Sequence, residues 1–285
     1  MKKDEIADLV KTGLDELHVA LAEGRSARLE QLLDVMGRFP QYSFRNCLLI
    51  LRQRPDASMV QGFHAWKRVG RSVKKGEKGI GIAAPLAVRK KDQADEAEEI
   101  RGFRVVHVFD VEQTEGEPLP EFARPSGNPG DAIERVEALI RAKGIELDYN
   151  ELDDCFGYSA KGRIVLQAGL ESALRLSVLL HELAHEMMHG TSDVREQTTK
   201  ELRETEAEAV AHVVCRALGV RCLEHSADYI SLHNGSTELL GKSMQRIQSC
   251  AGGILKELAA GLPTAGVSLK RPPQDTGQEC LVTSA

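Results

Sequence analysis

The chain has 285 residues, 42% of them apolar, and a formal net charge of −6, enough for two domains with a real core. No run of eighteen apolar residues occurs, which argues against a membrane-spanning helix, and the mixed charge after Met1-Lys2-Lys3 argues against a secretory signal. Six cysteines with no C-x-x-C pair favour free thiols in a reducing, cytoplasmic setting over a disulfide scaffold or a cysteine zinc site.

Residues 4–37 read as two helices. Ile6, Leu9, Val10, Leu14, Leu17 and Leu21 recur at helical spacing, as do Leu29, Leu32, Leu33 and Met36, with a break at Gly24 and a stop at Pro40. Tyr42 to Arg54 predicts a third helix, capped by Ser43 and ended by Pro55. Three extended pieces follow: Ser58–Phe63, Gly79–Val88 and Gly102–Asp110. Between the first two, Arg71–Gly79 reads as a basic, glycine-punctuated turn, and the charged residues 89–101 read as a solvated hairpin tip or loop.

The net charge hides an asymmetry. Arg45 to Lys91 holds 12 Lys and Arg against Asp56 and Glu77, a local charge of +10. A basic segment on an acidic protein suits a polyanion. Six of the twelve aromatics (Tyr42, Phe44, Phe63, Trp66, Phe103 and Phe109) fall between residues 42 and 109, in and around this segment, and bases stack on exposed rings while cations track phosphates. The expected DNA contacts are Arg45, Arg52, Lys67, Arg68, Arg71, Lys74, Lys75 and Lys78, with Trp66 as the stacking ring or, equally, as the core tryptophan of a small domain.

Residues 116–130 hold four of the ten prolines and read as an interdomain linker. Asp131–Lys143 is an amphipathic helix ended by Gly144, and Arg163–Gln167 a strand, expected to lie at a sheet edge where it could pair with an extended peptide. Leu174–His189 predicts a helix with Leu176, Leu180, Leu183 and Met187 facing the core. Gln197–Leu218 predicts another. Arg221–Gly261 reads as mostly helical with breaks near His233-Asn234-Gly235 and Gly252-Gly253, before a tail, residues 262–285, expected to be disordered.

The chemistry lies in His181-Glu182-Leu183-Ala184-His185. Residues four apart share a helix face, so the two imidazoles can hold one ion, and Glu182 is placed to take a proton from an attacking water. Seven and ten residues after His181 stand Met188 and Thr191, not the Gly and His of a metzincin. His189 lies one turn beyond His185, too far along a straight helix to complete a tetrahedral site. The better third ligand is Glu204, nineteen residues after His185, with Glu208 one turn on as the acceptor that orients a ligating imidazole. Glu206 points elsewhere on that helix. The expected ion is zinc, with Mn2+ as the alternative. Tyr158, His212, His225 and Tyr229 are candidate oxyanion donors, each with a structural role as the simpler reading.

With both halves in view, the chain resembles the ArdC-type antirestriction proteins of mobile elements. The stretches that carry the likeness are YSFRNCLLILRQRPDASMVQGFHAWKRVGRSVKKGEKGIGIAAP and FRVVHVFDVEQTEG, then LSVLLHELAHEMMHG and ETEAEAVAHVV, over roughly residues 40–250. The last two are also similar to the ImmA/IrrE-like peptidases. The resemblance implies an N-terminal single-stranded-DNA-binding domain, a C-terminal zincin-like (gluzincin) metallopeptidase domain, and protection of plasmid DNA during conjugative entry. The expectation is therefore an α+β protein, with a small α+β DNA-binding domain over 1–115, a linker over 116–130 and a mostly helical zincin-like domain over 131–261. Two alternatives stay open: a regulatory metallopeptidase that cleaves a repressor-like protein, and a DNA-binding shield whose metal site is structural.

Overall fold

The computed structural model describes residues 2–24, 26–89, 98–117, 129–152, 155–160, 162–191, 197–220 and 236–260. The expected tail, most of the expected linker, and His225 and Tyr229 lie outside them. The fold is α+β.

Helices α1 (Lys3–Ala22) and α2 (Ala27–Arg38) turn about Gly24, whose φ of 73° suits a residue without Cβ. α3 (Phe44–Gln53) starts where the Ser43 side chain accepts from the Asn46 N–H. Three strands follow, β1 (Val60–Gly62), β3 (Ile80–Arg89) and β4 (Glu98–Asp110), in the antiparallel order β1-β4-β3. Their inner face, Val60, Ile80, Ile82 and Val108, joins the core that α3 covers. Strand alternation then turns Phe103, Val105, His107 and Phe109 outward. The free edge of β3 is closed by side chains of α3. Asn46 bonds both the N–H and C=O of Ala83, and Gln53 does the same at Gly81, at 2.9–3.0 Å.

Where the expected extended piece Ser58–Phe63 ends, Phe63–Arg68 forms a short helix, α4, and the expected basic turn contains a strand, β2 (Arg71–Val73), paired with β5 (Thr114–Gly116).

The second half builds a small mixed sheet. After α5 (Pro129–Ala142), strand β6 (Glu146–Asn150) runs parallel to β8 (Arg163–Gln167), and β7 (Gly157–Ser159) runs antiparallel to β8 on its other side. β8 is thus central, not the edge expected: Ile164, Val165 and Leu166 are all buried, so the strand is covered on both faces. The edge strand beside the HExxH helix is β7. Helix α6 (Ser172–His189) packs against α7 (Lys200–Ala217), and α8 (Thr237–Ala260) packs against α7.

Two further expectations are corrected. Met187 is exposed, and Leu179 and Ala184 share the buried face with Leu176, Leu180 and Leu183 instead. α8 runs unbroken through Gly252-Gly253, and a Cβ on Gly252 would stand 3.0 Å from the Pro40 carbonyl oxygen. That glycine serves close packing, not a break.

The two halves share one core. α2 crosses α7 at Gly37, where an added Cβ would lie 2.8 Å from the Val213 carbonyl oxygen. At the same crossing Asp34 accepts from His212 at 3.0 Å and from Arg216 at 3.1 Å. His212 is therefore engaged at the α2–α7 crossing.

Candidate metal centre and nucleic-acid surface

Helix α6 presents His181 and His185 one turn apart, and α7 brings Glu204 against them. The nearest ligand atoms form a triangle: His181 Nε2 to His185 Nε2 is 3.0 Å, and each lies 3.4 Å from Glu204 Oε2. A tetrahedral ion with bonds near 2.0–2.1 Å spaces its ligand atoms about 3.3 Å apart, so the three donors fit one small divalent cation.

The outer hydrogen bonds fix the rings. His181 turns Nδ1 to Glu208 Oε2 at 3.2 Å, the contact that the expected orienting role of Glu208 requires. His185 turns Nδ1 to His189 Nδ1 at 3.4 Å, and His189 Nε2 meets Glu206 Oε2 at 3.0 Å. His189 is thus no part of the triangle. Sequence spacing placed Glu206 off the ligand face but gave it no partner, because the partners come from α6 and from Arg246 on α8.

Glu182 is buried beside β7. A Cβ on Gly157 would stand 3.5 Å from Glu182 Cγ and 2.8 Å from Val178, so only glycine lets the edge strand approach this closely. Burial raises the Glu182 carboxyl pKa, opposed by the two imidazoles and a hydrogen bond to Ser159. Burial pulls the His181 pKa down, but bonds to Glu204 and Glu208 outweigh it and push it up to about 9. Glu204, bonded to His181 and His185, is held far below the usual carboxylate range.

The His181 shift has a measurable sign. Its pKa rises from 6.5 unfolded to about 9 folded, so in metal-free protein its proton stabilises the fold fully below pH 6.5. That contribution disappears as the pH climbs through about 9. An incoming cation must displace the same proton, so metal affinity should strengthen with pH over this window. Chelator-treated protein should melt lower at pH 9 than at pH 6.5, with the gap to metal-loaded protein widening; a gap that stays constant contradicts the assignment.

In the N-terminal half, Trp66 is wholly buried and donates its indole N–H to the Phe109 carbonyl at 2.9 Å. It offers no face to a base, and the stacking expectation is corrected: α4 turns Trp66 inward while Lys67 and Arg68 point to solvent. Arg52 is held by Glu16 at 2.8 Å, and Arg71 is bound to Thr114 across the β2–β5 pair. Lys74 is exposed but donates to the Glu112 carbonyl. Arg45, Lys67, Arg68, Lys75 and Lys78 are exposed. The exposed rings are others: Phe63 at 41% and Phe103 at 53%. Phe63 lies edge-on to Phe109, and Lys67 Nζ sits 4.9 Å over its ring. The signal that could have found Phe103 was strand alternation, which sets it on the same face as Phe109.

Among the described residues, no helix is long and apolar enough to cross a membrane.

Residues 3–111 match a family model described as the N-terminal domain of anti-restriction factor ArdC. Residues 140–215 match a peptidase family described as the IrrE N-terminal-like domain. An uncharacterised protein of Bacillus anthracis is 25% identical over 280 residues, covering 80% of this chain and 47% of that protein. The chain thus spans about half the length of this curated relative. The metal-free crystal structure of the antirestriction ArdC protein from plasmid R388 superposes with a TM-score of 0.57 at 18% identity, covering 90% of this chain and 100% of the other. The Mn(II)-bound structure gives 0.55 at 15%, covering 89% and 99%. At these identities the likeness is one of fold.

Proposed function

We propose that this chain, which joins an ArdC-type antirestriction N-terminal domain to an IrrE-like domain, binds single-stranded DNA with the first and hydrolyses a peptide bond with the second, protecting incoming plasmid DNA from restriction. The observation that carries the hydrolase half is the triangle of His181, His185 and Glu204 with Glu182 beside it.

When bound, a zinc or manganese ion there would polarise the scissile carbonyl and acidify the attacking water. Glu182 takes the proton from that water and hands it to the departing amine. Its raised pKa suits both roles, since a carboxyl too acidic would not hold the proton between them. Glu208 keeps the His181 ring turned toward the ligand triangle. β7 pairs with β8 alone among the described strands, so its open side can take an extended substrate by strand addition.

The DNA half rests on the outward face of the β1-β4-β3 sheet. Phe63 and Phe103 supply the stacking faces, Lys67, Arg68, Lys75 and Lys78 supply the phosphate contacts, and Arg45, on α3 behind the sheet, adds a further exposed cation. Stacking ignores sequence and needs unpaired bases, which favours a single strand over a duplex.

The test combines a gel shift of single- and double-stranded oligonucleotides with metal analysis after dialysis. Preferential retention of the single strand, with about one divalent ion per chain, supports the reading; indifference to both strands and ions ends it. Phe63→Ser with Phe103→Ser should weaken single-strand binding by about 1–3 kcal/mol per lost stack and leave the melting temperature nearly unchanged. Unaltered affinity would remove the sheet face from the DNA path.

A further inference from the structure

Behind His185 runs a line of polar groups that neither ligation nor water activation uses. His189 is 2% exposed and Glu206 0%, where α6, α7 and α8 meet. Arg246 of α8 reaches Glu206 Oε1 and donates to Ser243 Oγ at 3.0 Å.

The donors along this line can be assigned. A guanidinium only donates and a carboxylate only accepts. Glu206 Oε2 therefore takes a proton from His189 Nε2–H. Neutral His189 is left with a bare Nδ1, which accepts from His185 Nδ1–H. That leaves the His185 Nε2 lone pair directed at the triangle with His181 and Glu204, the one tautomer of His185 that can ligate there.

We propose that His189, Glu206 and Arg246 form a positioning relay that locks His185 in the tautomer able to hold a divalent cation, an inference that rests on the metal-site reading above. Helix packing by itself does not call for these groups. Three apolar side chains would join the helices without the cost of taking a carboxylate out of water.

Glu206→Gln tests the relay at constant shape. Arg246 cannot accept, so it keeps the amide oxygen and the amide NH2 faces His189 Nε2. The His189 proton then moves to Nδ1 and confronts His185 Nδ1–H. His185 must turn or shift its proton to Nε2, and either change opposes ligation. Ser243 can donate or accept and does not alter this order. Adding Arg246→Met frees the amide to turn its oxygen to His189 and restores the tautomer.

The experiment is calorimetric titration of the full chain with Mn2+ and with Zn2+, alongside the melting of chelated protein. Glu206→Gln should bind each ion about 10–100-fold more weakly, and Glu206→Gln/Arg246→Met should recover most of the loss without melting higher than the single variant. Wild-type affinity in the single variant, or no recovery in a folded double variant, overturns the relay. Wild-type protein that binds neither ion removes the metal site itself and the relay with it. A further readout needs no variant: 15N–1H spectra of the zinc-loaded wild type should show Nδ1–H on His185 and Nε2–H on His189, and the opposite tautomers overturn the proposal.

Discussion

Glu182→Gln should abolish protection of incoming DNA from restriction while leaving DNA binding and metal content as they were. Glutamine matches the shape of the buried side chain and can keep a hydrogen bond to Ser159, so the fold has no reason to change. It cannot take a proton from water and return it to an amine. General acid–base catalysis by one positioned side chain contributes about 10^2–10^4 in rate, so residual turnover should fall below detection in a cellular assay. The readout is survival of plasmid DNA delivered into a restricting host, beside a gel shift and metal analysis of the same variant. Unchanged protection would discard the peptidase reading and favour a DNA-binding shield with a structural metal.

Trp66→Ala should destabilise the fold well before it reports on DNA. The ring is wholly buried and its N–H is satisfied by a strand carbonyl. Truncating such a residue typically costs about 3–5 kcal/mol, because the cavity collapses only in part and the Phe109 carbonyl loses its donor. Urea unfolding should show the midpoint shift strongly. A variant that keeps its midpoint and loses only DNA affinity would return Trp66 to the surface role.

The candidate metal centre was legible because its determinants are local. HExxH sets His181 and His185 on one helix face, and the four-residue spacing of Glu204 and Glu208 turns both carboxylates of the next helix toward them. The relay was not legible. Its members sit on three helices, and periodicity gives the direction of Glu206 without saying that His189 and Arg246 meet it there. For β8 the signal was present and misweighted: three consecutive apolar residues mark a strand buried on both faces, whereas an edge strand alternates. At Trp66 the basic neighbours misled. Neighbouring residues on a short helix face different ways, so exposed Lys67 and Arg68 say nothing about the residue before them. Glycine was ambiguous in kind, since one side chain-free position can end a helix or let a carbonyl pass close by, and only the partner at Pro40 decides.

The crossing of α2 over α7 at Gly37 bears on any attempt to dissect the molecule. α7 carries Glu204 toward His181 and His185 and, around Val213 to Ala217, receives the second helix of the other half. Cutting the chain after residue 130 would bare that seam to water and leave His212 and Arg216 without Asp34. The C-terminal half is not a detachable cassette, and a fragment that precipitates on its own would report a missing neighbour, not a missing activity.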